Sequence, residues 1–335
     1  MNRTQRFRLA TRAVFFALFV LAPPLDLFRL DLTRGHFLVL GMDWTLDLYG
    51  VSPAQAALHL LWRAFVPVAA VIGFGVWLSW RLGRVYCGWL CPHFSVVELI
   101  NGLMRRACGR VSLWQRTPPP EEQADGTRIH PWPGHWITVA LAVAGFAFLW
   151  AVTLLSYLLA PATVWGDLLA GTLSRNQALF LGVATTLFAL EFTLARHLFC
   201  RFGCAVGLFQ SLVWMANPRA LVVGFDRAHA EPCLDCDRSC EHACPMLLRP
   251  RRIKRHMFTC TQCQQCVQAC EAVNRRRGRA VPLQMLSGRC ALDVSERDFG
   301  RRPEVPADCF GRASDAGADS RRITLPGGRE VPGTD

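Results

Sequence analysis

The stretch Cys260-Thr-Gln-Cys263-Gln-Gln-Cys266-Val-Gln-Ala-Cys270 spaces four cysteines as C-x2-C-x2-C-x3-C. That spacing wraps a cubic [4Fe–4S] cluster. Three thiolates on one tight loop bind three irons, and the fourth cysteine of the run reaches a neighbouring cluster. Upstream lie Cys233, Cys236, Cys240 and Cys244, the last followed by Pro245. Crossing predicts that Cys244 joins Cys260, Cys263 and Cys266 at one cluster, and that Cys270 joins Cys233, Cys236 and Cys240 at the other. The first run has three residues between Cys236 and Cys240 where the usual run has two, so its loop must bulge to deliver Cys240. Structural zinc and disulfides are the competing readings. Zinc sites use two C-x2-C pairs with a longer gap, and disulfides need an oxidising compartment.

Outward from this segment the composition divides. The chain has 335 residues, 52% of them hydrophobic, and a formal net charge of +12. Its mean hydropathy is +0.22. A membrane half joined to a soluble half fits those values. Apolar runs near 10–28, 57–80, 136–160 and 176–197 each approach the ~20 residues that cross a bilayer. No small-x-small cleavage site follows the first run, which predicts an uncleaved anchor rather than a signal peptide. Lys254 is the only lysine; the positive charge is arginine. Arg3, Arg6, Arg8 and Arg12 precede the first run, and Arg81, Arg84, Arg105, Arg106, Arg110, Arg116 and Arg128 follow the second. The other loops hold few, so the positive-inside rule puts both termini in the cytoplasm. There thiols stay reduced and free for iron. Arginines that flank apolar runs are accounted for by membrane orientation, which argues against nucleic acid.

The membrane half repeats itself. Tyr86-Cys87-Gly88-Trp89-Leu90-Cys91-Pro92 follows the second run, and Phe199-Cys200-Arg201-Phe202-Gly203-Cys204 follows the fourth. Each C-x3-C is succeeded by an apolar stretch. A duplicated unit predicts a pseudo-twofold bundle that brings the two pairs together at the cytoplasmic surface. On one helix, residues four apart share a face, and converging thiolates select a soft metal, Cu(I) above all. Buried, inert cysteines are the alternative. Pro92 suits the first turn of a helix starting near Cys91. Glu191 could pair with Arg196, and Arg63 could snorkel to the outer face. His93 and His197 are possible auxiliary ligands, while His59 and His197 lie at opposite ends of their runs and make no haem pair. Cys108, Cys290 and Cys309 read as spare thiols. Pro118, Pro119 and Pro120 mark a connector over 108–135.

The expected architecture is mainly α. A polytopic membrane helical bundle of about four spans in two repeated hairpins covers 1–216. A cytoplasmic ferredoxin-like domain with two [4Fe–4S] clusters covers 217–300, and a disordered tail covers 301–335.

At these residues the chain resembles the cytochrome c oxidase accessory proteins called CcoG, RdxA or FixG, membrane polyferredoxins of bacteria. The supporting stretches are Asp31-Leu-Thr-Arg-Gly-His-Phe37, Gly83-Arg-Val-Tyr-Cys87-Gly-Trp-Leu-Cys91-Pro92, Asp167-Leu-Leu-Ala-Gly-Thr172, Phe209-Gln210-Ser211, Leu221-Val-Val-Gly-Phe-Asp226 and the paired cysteine runs. The Cys87–Pro92 run also occurs in NapH- and NosR-type polyferredoxins. The resemblance implies a metal reductase of the inner membrane. Cys87, Cys91, Cys200 and Cys204 would handle copper, reducing Cu(II) to Cu(I) for an oxidase with electrons from the two clusters. Copper chaperones or transporters, oxidase assembly factors and membrane lipid are the implied partners, with a cytoplasmic or quinol electron donor. Ala205 stands where the family has a second Cys-Pro proline, and the resemblance implies a shortened form without the family's C-terminal domain. A quinol-oxidising subunit of the NapH type and a non-enzymatic redox or metal sensor are the alternatives.

Overall fold

The computed structural model describes residues 2–115, 118–122, 126, 128–227, 229–295 and 309–310. The expected tail over 301–335 therefore lies almost wholly outside the described residues. Three helices are long and apolar enough to cross a membrane: α2 (Pro53–Leu82), α5 (His135–Ser156) and α7 (Arg175–Gly203). Between and around them lie α1 (Arg3–Leu21), α3 (Val85–Trp89), α4 (Pro92–Cys108), α6 (Pro161–Ala170) and α8 (Ala205–Met215). Serine caps start two of the long helices: Ser52 and Ser174 each accept from the backbone three residues on, with Gln55 and Gln177 reaching back.

The fourth expected span, 10–28, is not among the three. Helix α1 stops at Leu21 and turns inward arginines that a lipid-facing span would not carry. Arg8 is 2% exposed. Its guanidinium donates to Glu98 at 2.8 and 3.1 Å and to the Gly88 carbonyl at 2.7 Å. Arg12 also bonds Glu98 and reaches Ser95 at 3.0 Å. One carboxylate on α4 thus gathers two arginines of α1. Removing one partner from a buried cluster leaves uncompensated charge, typically costing about 3–5 kcal/mol. Glu98→Ala is expected to lower the thermal midpoint in detergent by far more than Glu122→Ala, whose ion pair to Arg128 is exposed. Equal losses would show that the cluster does not bind α1 down.

Past α1, strands β1 (Phe28–Asp31), β2 (His36–Val39) and β3 (Met42–Trp44) form an antiparallel sheet. It docks on the end of α5 through Leu30 N–H to the Tyr157 carbonyl at 2.9 Å. Asp31 is buried here. The Thr33 hydroxyl and Arg29 bond its carboxylate and hold it well below the usual carboxylate range.

The cysteine-rich half closes with β4 (Val222–Phe225) antiparallel to β5 (Leu283–Leu286), in the register Val222↔Leu286 and Phe225↔Leu283. Helices α9 (Ser239–His242) and α10 (Gln265–Arg276) lie between these strands in sequence and pack on each other, with α10 also against β5, and α11 (Arg289–Ser295) follows. One apolar core runs through both halves: Phe94, Val97 and Ile100 of α4 belong to the same cluster as Val223, Met257, Cys266 and Cys270.

Candidate metal centres

Two hollows of closely similar size, about 360 and 350 Å3 counting their open mouths, lie inside the cysteine-rich half. The first is lined by Cys233, Cys236, Cys240 and Cys270 together with Phe225, Arg251 and Asn274. The second is lined by Cys244, Cys260, Cys263 and Cys266 with Val223, Met246 and Met257. Each hollow thus draws three cysteines from one run and the last cysteine of the other. The local backbone explains how. Gln262 and Gln264 have φ of 47° and 63°, and Arg238 has φ of 63°. These left-handed residues, uncommon for side chains with a Cβ, turn each loop back before its helix. Arg238 occupies the extra position between Cys236 and Cys240, where the spacing required a bulge.

The donor chemistry suits a cation. Burial pushes the thiols of Cys240 and Cys260 up to about 12 and that of Cys270 up to about 11, so without a guest they stay neutral. An iron guest reverses this by binding the thiolate and releasing the proton. Among the described residues, no three His, Cys, Asp or Glu side chains gather closely enough for one mononuclear ion. Four cysteines around a cube of four irons need no such gathering, since each iron takes its own thiolate.

The membrane-side cysteines Cys87, Cys91, Cys200 and Cys204 are neighbours across the two units, although no three of them gather closely enough for one ion. The geometry corrects one expectation: neither C-x3-C lies on a single helix. Cys87 sits in α3, the chain breaks at Leu90, and Cys91 caps α4 with Pro92 behind it, its sulfur accepting from Phe94 N–H at 3.5 Å. Cys200 occupies a π-turn at the end of α7, and Cys204 caps α8, its sulfur accepting from Gly207 N–H at 3.5 Å. The duplicated units thus place one sulfur at each helix N-terminus. Arg84, 1% exposed, spans the two units: it donates to the Cys200 carbonyl at 2.8 Å and lies 3.7 Å from Cys87 Sγ.

The Cys260–Cys266 loop of the second hollow packs against the Cys87–Cys91 segment and its surroundings. Trp89 Nε1–H donates to the Gln262 carbonyl at 3.1 Å, and Gln5 donates to the Cys263 carbonyl at 2.9 Å. Gln265 bonds Glu98. Gly88 faces the Thr261 carbonyl so closely that any Cβ there would overlap it. Overpacking of this kind costs about 1–3 kcal/mol. Gly88→Ala is expected to force the two loops apart and lower the thermal midpoint in detergent. An unchanged midpoint would mean that the contact does not hold the halves together.

Lys254 fastens the wall of the second hollow to α8. Its ammonium donates to the Trp214 and Asn217 carbonyls at 2.9 and 2.6 Å and lies 4.7 Å from the Trp214 ring centre. Burial pushes its pKa down to about 8, below the ordinary 10.5. Below pH 8 both folded and unfolded chains hold this proton. Above pH 8, up to the unfolded value, the unfolded chain binds more, so this contribution to stability rises with pH. The difference in thermal midpoint between the protein and Lys254→Met is therefore expected to move in favour of the protein from pH 8 to 10. A constant difference would refute the depressed pKa.

Two sequence expectations change. Cys290 and Cys309 are not spare thiols: they form a disulfide, against the expectation that the thiols of this half stay reduced, and are brought together where Ala291 and Phe310 share an apolar cluster. Cys108 is free. Glu191 does not pair with Arg196; its Oε1 lies 3.3 Å from His93 Nε2, because the π-turn over Glu191–Ala195 rotates it toward α4. His93 stacks on Phe192. Arg63 bonds Asp47 and the Thr45 carbonyl.

Residues 62–110 match a family described as a 4Fe-4S binding domain. This segment carries Cys87 and Cys91 rather than the eight-cysteine run. The chain is 22% identical over 243 residues to YccM of Escherichia coli K12, named as a candidate electron transport protein. That match covers 69% of this chain and 58% of the relative. It is 26% identical over 233 residues to the nitrogen fixation protein FixG of Rhizobium meliloti, covering 62% of this chain and 41% of the relative. An uncharacterized protein of Methanocaldococcus jannaschii is 28% identical over 196 residues, covering 58% and 64%. The chain thus spans about half the length of the curated relatives it matches. No solved structure matches. The chain thus joins three helices apolar enough to span a bilayer, among the described residues, to a segment that matches a 4Fe-4S binding family, and it is similar to YccM and FixG.

Proposed function

We propose that this protein moves single electrons from two [4Fe–4S] clusters on the cytoplasmic side of the bacterial inner membrane to the thiol quartet beside the bilayer, where Cu(II) is reduced to Cu(I) for a respiratory cytochrome c oxidase. The observation that carries this reading is the pair of hollows with crossed cysteine sets, the second packed directly against the Cys87–Cys91 segment. A [4Fe–4S] cluster supplies a one-electron carrier when bound. Cys233, Cys236, Cys240 and Cys270 would hold one, and Cys244, Cys260, Cys263 and Cys266 the other. Arg8, Arg12 and Arg84 place buried positive charge beside the second hollow, where anionic ligand sets need it. Cys87, Cys91, Cys200 and Cys204 offer soft sulfur that favours Cu(I) over Cu(II), drawing a one-electron reduction forward. The quartet is too open for one ion as it stands, so copper would draw its loops inward. Copper titration of anaerobic protein, followed with a Cu(I) chelator, tests this: about one Cu(I) formed per electron supplied supports it, and none refutes it.

A second reading has one specific observation behind it. His93 Nε2 and Glu191 Oε1 face each other 3.3 Å apart within the bundle, and neither atom has a hydrogen-bond partner among the described residues. An acid and a base at the membrane edge suit a quinol, whose oxidation releases two protons. Reduction of the clusters by a quinol in nanodiscs, lost in Glu191→Gln, would favour it.

A further inference from the structure

The rim of the first hollow differs from that of the second. Cys233 and Cys236 are half-buried, and Leu234 between them is 85% exposed. Its apolar side chain stands free in the loop that lines this rim. Around it stand arginines. Arg238 is exposed and lines the mouth of the hollow, and Arg251 lines it more deeply. Arg277 donates to the Asp235 carbonyl at 3.2 Å, and Arg279 bonds the Asp235 carboxylate at 3.0 Å, so both lie against the Cys233–Cys236 loop.

The acids of this face are committed to neighbours. Asp235 is held by Arg279, Glu241 by Arg251 at 2.6 Å, Glu271 by Arg275, and Asp237 accepts from Ser239 N–H at 3.0 Å. Over residues 231–280 the sequence holds ten cationic side chains and five acidic ones. Of the ten, Arg238, Arg251, Arg277 and Arg279 stand at the hollow whose cysteines come nearest to water or at its Cys233–Cys236 loop. The second hollow instead carries the contacts to the Cys87–Cys91 segment, so the first is the end of the relay open to a soluble donor.

We propose that the arginine-rimmed face around Leu234 docks an acidic one-electron carrier protein, whose reduced centre would be oxidised by one electron as the cluster held in the first hollow is reduced by one. This rests on the iron–sulfur reading above and names the donor that reading leaves open. Opposite charge steers such encounters and sets their salt dependence. Leu234 supplies the short-range apolar contact that salt does not screen.

The test uses the full chain in neutral phosphatidylcholine nanodiscs and a purified acidic two-iron ferredoxin as the probe. The dissociation constant is measured with the oxidised ferredoxin, so that binding is read without turnover. Affinity is expected to fall steeply with ionic strength, and to drop on the order of tenfold in the Arg238→Glu, Arg277→Gln double variant. Leu234→Asp is expected to abolish the binding that remains at high salt. Iron content and the electron paramagnetic resonance signals are measured on the same samples. A protein without iron–sulfur signals sinks the reading of the hollows. Normal signals with a dissociation constant indifferent to salt and to the variants sink the docking proposal alone. The same holds if the variants leave ferredoxin binding unchanged but weaken adhesion to phosphatidylglycerol vesicles: the face would then meet lipid headgroups.

Discussion

Cys244→Ser is expected to empty the second hollow and leave the first loaded, although Cys244 belongs by sequence to the first run. Iron should fall from about eight to about four atoms per chain, and one of two reducible signals should disappear. Cys270→Ser should do the converse. The reason is geometric: Cys244 lines the hollow of Cys260, Cys263 and Cys266, whereas Cys270 lines that of Cys233, Cys236 and Cys240. A serine oxygen is a harder and poorer ligand for iron than a thiolate sulfur. If each variant instead lost the cluster of its own run, the two runs would close separately and the crossed assignment would fail. Because Cys270 is a core side chain and Cys244 packs against the core, a fold control is needed, and the surviving signal of the other cluster supplies it.

The second large effect belongs to the quartet. Cys87→Ala and Cys200→Ala come from different repeats, yet each is expected to weaken copper binding by more than about 100-fold while both iron–sulfur signals persist; even loss of a group that only supports a ligand typically costs 10–100-fold. The two variants combined should be no worse than either alone, because one site needs both halves. Cys108→Ala, a thiol outside the quartet, should change nothing. Additive losses would mean two separate pairs. Unchanged copper binding would leave the quartet as buried cysteine without a metal.

Much of this was legible in the sequence because covalent spacing restricts it. C-x2-C-x2-C-x3-C forces three sulfurs onto one loop, and the fourth onto the following helix, whatever surrounds them. The long helices were equally legible, since ~20 apolar residues leave few alternatives. The duplicated C-x3-C placed the quartet, but not its local form. Periodicity favours one helix with sulfurs four apart, whereas Pro92 and the break at Leu90 make the second cysteine a cap. Hydropathy marks 10–28 as an apolar run but does not register that Glu98, some ninety residues on, gathers Arg8 and Arg12 at its start. The three-stranded sheet over 28–44 was missed because its strands are three or four residues long, too short for an alternating pattern to stand out. Cys290 and Cys309 gave no signal, because their meeting depends on an apolar cluster built from Trp214, Leu286 and Phe310. Gly88 shows the same limit: its need to be glycine comes from the carbonyl of Thr261, across the junction between the two halves.

Iron analysis with Mössbauer and electron paramagnetic resonance spectroscopy on anaerobically purified protein tests the account most directly. The predicted result is a brown protein with about eight iron atoms per chain and two one-electron signals. A colourless protein carrying zinc, or one whose eight cysteines react fully with a thiol reagent while holding no metal, would contradict it.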